Sequence, residues 1–233
     1  MDFTKVENLA QVIDHTLLKP DAVEENIRKL CEDAVTFGFV SVCIQPVFVK
    51  FAVEYLAGSN VKVCTVVGFP TGAHLTPIKL EEAMRALSDG AQEIDMVISI
   101  GHLKSGDDAS VLKEIQLLAD ACHQKNALLK VIIETALLND EEIIRATDLV
   151  KEGSSDFVKT STGFGPHGAT VDDVRLIKQT LGDSPVGIKA SGGIRTLADT
   201  LTMLEAGAIR IGTSSGVRII NELTSKNNHS SKK

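Results

Sequence analysis

Two lysines in this sequence lie in short apolar segments that run into small polar residues. Lys159 follows Phe157 and Val158 and precedes a Thr/Ser/Gly stretch at 160–163, and Lys189 lies in a similar segment at 187–193. A lysine in an apolar strand costs free energy unless its charge is paired or its amine is neutral. Two such segments in one chain indicate a functional site.

The chemistry expected of such lysines is attack on a carbonyl group. A free lysine has a pKa of about 10.4, so very few of its amines are neutral at pH 7. Desolvation and a second ammonium group nearby both lower the pKa, and we expect both influences at Lys159 if Lys189 lies on the next strand. Asp95 could pair with whichever lysine stays charged and relay protons. This arrangement suits imine formation followed by carbon–carbon bond making or breaking through an enamine, which needs no metal or cofactor.

The periodicity of the chain predicts eight short strands that alternate with eight helices. The strands are rich in Val and Ile, as buried parallel strands are, and they run from a first strand at 11–14 to a last helix at 214–223. With 233 residues, the chain is near the length of roughly 250 that is typical of a (β/α)8 TIM barrel. An open doubly wound sheet is the alternative, but no dinucleotide fingerprint follows the first strand. We therefore predict an α/β fold with one barrel domain over 1–224 and a flexible tail over 225–233.

Alternation along the predicted strands indicates which side chains point into the barrel. Asp95, Lys159 and Lys189 point inward near the carboxyl ends of their strands, where barrel enzymes build their sites. The residues beside them suit the helix-covered outer face: Ile94, Met96, Val158 and Ile188. Barrel interiors also hold structural ion pairs, and Glu93 with Lys130, near the beginnings of adjacent strands, is predicted to be one.

Two Gly/Ser-rich loops follow the seventh and eighth predicted strands, at 191–196 and 211–216. Barrels commonly bind phosphate there, because glycine lets backbone N–H groups approach an anion and a helix N-terminus adds a favourable dipole. Arg195 lies in the first loop, and Thr162 with Gly163, after strand six, could supply further donors. Such turns could simply connect strand to helix, but two adjacent ones favour a phosphate site.

Charge, cysteine and histidine content and the apolar runs of the chain exclude several classes of protein. The formal net charge of −7 argues against nucleic acid or anionic membrane as a partner. The four cysteines form no C-x-x-C pair, so free thiols in a reducing compartment are expected. The six histidines lack metal-ligand spacing. The N-terminus has no signal-peptide pattern, and no apolar run is long enough for a membrane span. We predict a soluble cytoplasmic protein without a metal site.

Six motifs are distributed over nearly the whole chain, up to about residue 223. They are Ile-Asp-His-Thr-Leu-Leu at 13–18, Val-Cys-Ile-Gln-Pro at 42–46, Glu-Ile-Asp-Met-Val-Ile at 93–98, Phe-Val-Lys-Thr-Ser-Thr-Gly at 157–163, Gly-Ile-Lys-Ala-Ser-Gly-Gly-Ile-Arg-Thr at 187–196 and Gly-Thr-Ser-Ser-Gly at 212–216. Together these motifs resemble one enzyme family, the deoxyribose-phosphate aldolases.

The resemblance implies a class I aldolase that reversibly cleaves 2-deoxy-D-ribose 5-phosphate to D-glyceraldehyde 3-phosphate and acetaldehyde, in deoxyribonucleoside catabolism. It implies that Lys159 forms the Schiff base, that Lys189 perturbs it, and that Asp95 takes part in a proton relay through water. Three residues would line the substrate pocket: Asp14, Thr16 and Cys43. The phosphate would be bound in the loops, at Gly163, Gly192, Gly193, Ser214 and Ser215, with Arg195 adding charge. Thr162 and Gly212 are also expected to bind substrate. Family members are often dimers, so a homodimer is also expected.

Two positions depart from the pattern of some family members. Where those carry a lysine after the glycine of the strand-six loop, this chain has Phe164, so phosphate binding would either be weaker or rest more on backbone groups. Some members also end in a tyrosine on a mobile tail, whereas the only tyrosine of this chain is Tyr55. Either proton transfer would then depend on Asp95, Lys189 and water, or turnover would be slower.

Two rival functions stay open on the sequence. One is another imine-forming phosphosugar aldolase on the same barrel, which would cleave ketose phosphates in preference. The other is a non-catalytic sugar-phosphate-binding barrel, although Asp95 and the two lysines argue against it.

Overall fold

A closed barrel of eight parallel strands forms the centre of the chain. A computed structural model describes residues 2–230. Its strands are β1 Ile13–Leu17, β2 Ser41–Ile44, β3 Lys62–Val67, β4 Glu93–Val97, β5 Leu128–Ile132, β6 Phe157–Lys159, β7 Gly187–Ser191 and β8 Arg210–Thr213. Each strand pairs with its neighbours in sequence order, and β8 closes the barrel against β1. The predicted (β/α)8 barrel is confirmed.

Helices cover the outside of the barrel. They are α1 Val6–Ala10, α2 Glu24–Phe37, α3 Val49–Tyr55, α4 Thr76–Ser88, α5 Ile100–Lys104, α6 Asp108–His123, α7 Asp140–Glu152, α8 Val171–Leu181, α9 Leu197–Ala206 and α10 Gly216–Ser230. Short 3-10 turns at Pro46–Phe48 and Thr135–Leu137 complete the described elements. Two helices, α1 and α5, were not predicted, because five residues are too few to show a helical period. Within residues 2–230, no helix is both long and apolar enough to cross a membrane.

The ends of the chain differ most from the predicted boundaries. The helix α1 and the turn after it occupy the residues before Ile13, so β1 begins later than predicted and includes His15 and Thr16. These two residues pair in register with Val42 and Cys43. At the other end, α10 continues to Ser230, beyond its predicted end at 223. Residues 231–233 of the predicted tail lie outside the described part of the chain.

The two faces of the strands divide as alternation predicted. Ile94, Met96, Val158 and Ile188 are buried in the apolar core between barrel and helices. The strand residues that alternate with them point inward and include Asp95, Lys159 and Lys189, so an ion-pair network lies inside the barrel. Local signals fix several helix ends: Gly38, at φ +69°, terminates α2, and Asn139 forms the predicted cap of α7 in a capping box with Glu142.

Candidate active site

Asp95 is the centre of the ion-pair network inside the barrel. Its Oδ1 accepts a hydrogen bond from Lys130 Nζ at 2.8 Å. Its Oδ2 accepts two, from Lys159 Nζ at 2.7 Å and from Lys189 Nζ at 2.6 Å. All four side chains are buried. The structure thus brings together the three residues to which the sequence assigned chemistry, and it adds Lys130.

A second set of carboxylates surrounds this centre. Asp14 is in close contact with Lys189 and lies 2.7 Å from Arg210 Nη1. Glu93 lies 2.6 Å from Lys130 Nζ, as predicted, and 2.9 Å from Arg210 Nη1. Sequence reasoning missed Arg210 as a member of this network. Alternation along the last strand was the available signal, since it turns that arginine inward between Ile209 and Ile211.

The surrounding charges determine the protonation states in this network. Burial raises the pKa of Asp95, but the ammonium groups of Lys130, Lys159 and Lys189 outweigh it and hold that pKa well below its usual value. Burial lowers the pKa of Lys189, yet the carboxylates of Asp14 and Asp95 more than offset this effect and raise that pKa. The pKa of Asp14 is lowered in turn, because Lys189, Arg210 and Lys130 outweigh its burial. Asp95 is therefore ionised and Lys189 protonated at neutral pH.

Lys130, Lys159 and Lys189, the lysine trio, all donate to Asp95. Of these three, Lys159 reaches an open cavity. The cavity has a volume of about 360 Å³ and lies at the carboxyl ends of β1, β6, β7 and β8. Neither Lys130 nor Lys189 lines it. Eight of the residues assigned to substrate binding do: Thr16, Thr162, Gly163, Gly192, Gly193, Arg195, Gly212 and Ser214. A larger open groove of about 1250 Å³ lies between α2 and α10, and it contains Ser215 but no member of the lysine trio.

Two predicted pocket residues lie beneath the cavity instead of lining it. Asp14 is fully buried and belongs to the ion-pair network. Cys43 is also fully buried, with its Sγ 3.9 Å from Asp95 Oδ2, and the neighbouring Cys64 thiol lowers its pKa. Cys64, which the sequence did not single out, donates to Asp95 Oδ1 at 3.1 Å. Both thiols therefore lie within reach of the carboxylate on which the network is centred.

Comparison with known proteins identifies the family. A family model described as DeoC/LacD family aldolase matches residues 8–222.

The chain belongs to the DeoC/LacD aldolase family.

The deoxyribose-phosphate aldolase of Thermococcus gammatolerans is 54% identical over 215 residues, which cover 91% of this chain and 95% of the relative. That of Caldanaerobacter subterraneus subsp. tengcongensis is 54% identical over 216 residues, covering 92% and 93%. A solved structure, described as the unique tetrameric structure of deoxyribose phosphate aldolase from Aeropyrum pernix, is 35% identical with a TM-score of 0.89 and coverage of 95% and 93%. The resemblance drawn from the motifs is confirmed, and the chain is an enzyme.

Three glycines in the loops of this aldolase line the cavity. Gly163, Gly192 and Gly193 all have a left-handed backbone, with φ of +87°, +83° and +78°. Their N–H groups have no hydrogen-bond partner within residues 2–230. The helix α10 begins directly after Ser214 and Ser215. These features form a cradle for an anion.

Phe164 and Phe69 form an aromatic pair beside the same cavity. Their rings meet edge to face, with centroids 5.4 Å apart, and Phe164 is 52% exposed. Phe69 packs on the small apolar cluster formed by Leu18, Cys43, Cys64 and Val66. The position at which the sequence departs from some family members therefore carries an apolar ring at the rim of the cavity.

Two groups of buried side chains have the atom types and spacing to hold a metal ion: Cys43, Cys64 and Asp95, and Asp14, Cys64 and Glu93. Each of their carboxylates already pairs with a lysine or arginine, and Lys130 Nζ lies 3.2 Å from Cys64 Sγ. These cations would repel a metal ion. We interpret both groups as parts of the ion-pair network.

Proposed function

We propose that this aldolase reversibly cleaves 2-deoxy-D-ribose 5-phosphate to D-glyceraldehyde 3-phosphate and acetaldehyde through a Schiff base on Lys159. One observation carries the proposal: Lys159 alone of the lysine trio lines the cavity, and its Nζ lies against the same carboxylate oxygen as the ammonium group of Lys189. The names of the relatives that are 54% identical support the substrate.

The charge balance of the network supports Lys159 as the nucleophile. The network contains the carboxylates of Asp14, Glu93 and Asp95 and the cationic groups of Lys130, Lys159, Lys189 and Arg210. Three negative charges face four positive ones, so one neutral amine makes the network electrically neutral. Lys189 keeps its proton, because the carboxylates around it hold its pKa high. Lys159, at the cavity, is the amine placed to react.

The reaction in the synthetic direction begins with acetaldehyde. The neutral Nζ of Lys159 attacks the carbonyl carbon, and the adduct takes up a proton and loses water to give the protonated imine. Loss of a proton from C2 gives the neutral enamine, whose C2 attacks the aldehyde carbon of glyceraldehyde 3-phosphate while a proton reaches the new hydroxyl group. Water then hydrolyses the protonated product imine, which frees Lys159 and returns a proton. Asp95 and Lys189 would pass these protons through water, since this chain has no tyrosine after Tyr55.

The phosphate group would be bound by the cradle above Lys159. Gly163, Gly192 and Gly193 offer N–H donors, the start of α10 offers its dipole, and Arg195 adds positive charge. Because Phe164 offers no charge, phosphate binding rests mainly on these backbone groups.

Reduction with borohydride in the presence of acetaldehyde tests the proposal. The expected product carries an ethyl group on Lys159, located by peptide mass spectrometry. The variant Lys159→Leu should fold, show no adduct and have no activity. An adduct on a different lysine, or turnover in the Lys159→Leu variant, would refute the assignment.

A substrate panel separates this function from its rivals. Cleavage of ketose phosphates in preference to deoxyribose phosphate would favour another phosphosugar aldolase. We also propose a cytoplasmic, homodimeric enzyme of deoxyribonucleoside catabolism, which fractionation and light scattering can check.

A further inference from the structure

Glu134 lies two residues after the end of β5, at the carboxyl end of the barrel. Its backbone is left-handed, with φ of +54°, which is uncommon for a residue other than glycine. The residues on either side hold it there: the Ile133 N–H donates to Lys159 O at 3.0 Å, and the Thr135 N–H donates to Thr160 O at 2.9 Å. Backbone hydrogen bonds thus fix Glu134 beside the end of β6.

The side chain of Glu134 is bonded to the loop that follows Lys159. Its Oε2 accepts a hydrogen bond from the Thr162 N–H at 3.2 Å and a shorter one from the Thr162 hydroxyl. The oxygen of that hydroxyl accepts in turn from the Phe164 N–H at 3.0 Å. Glu134 is only 2% exposed. A Cβ added at Gly165 would lie 3.1 Å from its carboxylate. The buried carboxylate of Glu134 therefore fixes the conformation of residues 162–165.

These hydrogen bonds occupy both donors of Thr162, so neither is left for the substrate. Both its N–H and its hydroxyl hydrogen are directed to Glu134. Gly163, the next residue, has a free N–H and lines the cavity. Thr162 therefore links Glu134 to the donor of Gly163, whereas the sequence had assigned it to substrate binding.

We propose that Glu134 is a positioning residue, which holds the 162–164 turn so that the Gly163 N–H faces the phosphate of the substrate. The inference rests on the proposed function for the identity of the anion. It predicts that loss of the carboxylate weakens phosphate recognition and leaves chemistry at Lys159 intact.

Four variants test the role of the carboxylate. Glu134→Ala removes it, and Glu134→Gln keeps an acceptor for the Thr162 N–H. Glu134→Gly removes the carboxylate but suits the left-handed backbone. Thr162→Val removes the same link from the other side with less disturbance. Glu141→Ala, at an exposed glutamate on α7, is the control.

The readout is the contrast between 2-deoxyribose 5-phosphate and unphosphorylated 2-deoxyribose. We expect Glu134→Ala and Glu134→Gly to raise KM for the phosphorylated sugar about tenfold, as loss of a charge-assisted hydrogen bond does. Their kcat/KM for 2-deoxyribose should change by less than about threefold. The KM of Glu134→Gln for the phosphorylated sugar should lie between that of these two variants and that of the wild type. Thr162→Val should also raise this KM. Equal losses on both sugars, or an unchanged KM in Glu134→Ala, would overturn the proposal.

Two further measurements keep the inference separate from the proposed function. Inorganic phosphate should protect wild type against thermal unfolding more than it protects Glu134→Ala, whichever sugar is the substrate. Borohydride trapping with acetaldehyde should proceed equally in both proteins. If wild type fails to trap acetaldehyde, the proposed function fails, and the phosphate result still decides the role of Glu134. Equal protection of the two proteins by phosphate would contradict that role.

Discussion

Lys159 and Lys189 lie side by side on β6 and β7, in register, and their ammonium nitrogens share Oδ2 of Asp95. Two ammonium groups that share one carboxylate oxygen in a buried site repel each other. Lys189 is held in its charged form by Asp14 as well. The pair thus consists of a charged lysine inside the barrel and Lys159 at the cavity, where the proposed reaction would take place.

Replacement of Lys189 by methionine should slow imine formation. The variant removes the ammonium group that shares Asp95 Oδ2 with Lys159, so the network loses the positive charge beside the proposed nucleophile. We expect kcat at pH 7 to fall about 100-fold or more and borohydride trapping with acetaldehyde to slow. Lys189→Arg keeps a positive charge and should show a smaller loss. An unchanged rate of trapping in Lys189→Met would contradict the role of the pair.

Asp95→Asn should damage both stability and activity. It would remove the carboxylate charge that Lys130, Lys159 and Lys189 share, and Lys159 would lose its paired carboxylate altogether. Breaking such a buried network costs about 3–5 kcal/mol, which urea denaturation would measure. Activity should fall about 10²-fold or more. Asp148→Asn, at a half-exposed ion pair on α7, should cost less than about 1 kcal/mol. Similar losses in the two variants would show that Asp95 does not organise the network.

The barrel and its central lysines could be predicted from the sequence because both depend on local patterns. Val- and Ile-rich segments of period two indicated the strands, and alternation turned Asp95, Lys159 and Lys189 inward. Alternation predicts the side of the strand on which a side chain lies. It does not predict which side chain it contacts across the barrel. The contact of Arg210 with Asp14 joins residues at opposite ends of the chain, and only closure of β8 on β1 creates it. The bonds from Glu134 to Thr162 likewise depend on a left-handed residue that no local pattern marks.

Lys79 forms a second buried ion pair, outside the candidate site. Its Nζ lies 2.9 Å from Glu114 Oε1 and donates to Val97 O at 2.7 Å, linking α4 and α6 to the end of β4. Lys79→Met would leave Glu114 buried without its counter-charge, and we expect a loss of about 3–5 kcal/mol in urea denaturation. Lys29→Met breaks the exposed pair with Asp33 and should cost about 1 kcal/mol or less. A small loss for Lys79→Met would mean that water reaches this pair.

Gly192 and Gly193 should respond differently to alanine, although both have positive φ. A Cβ at Gly192 would lie 2.9 Å from Gly168 Cα, whereas one at Gly193 has no atom within 4 Å. Gly193→Ala should therefore cost only the backbone strain of about 1–2 kcal/mol. Gly192→Ala should cost more and raise KM for the phosphorylated substrate by about tenfold or more, because the 168 backbone must shift. Thermal unfolding and kinetics together check this, and equal stability losses in the two variants would count against the close approach of these loops.

His15 should make the stability of the fold sensitive to mild acid. It packs against Phe39 with ring centroids 4.9 Å apart, and burial lowers its pKa to about 4, although Asp33 partly opposes that shift. An unfolded histidine has a pKa of about 6.5, so between these values the unfolded chain takes up a proton that the folded protein does not. Stability therefore falls as the pH drops from about 6.5 to about 4, by about 3 kcal/mol in total. The carboxylates of Asp14 and Asp95, whose pKa values are lowered, lose their contribution mainly below that range. Urea denaturation at pH 7, 5.5 and 4.5 should show this fall in the free energy of unfolding for the wild type and a much smaller fall for His15→Asn. Parallel pH profiles of the two proteins would rule out His15 as the source.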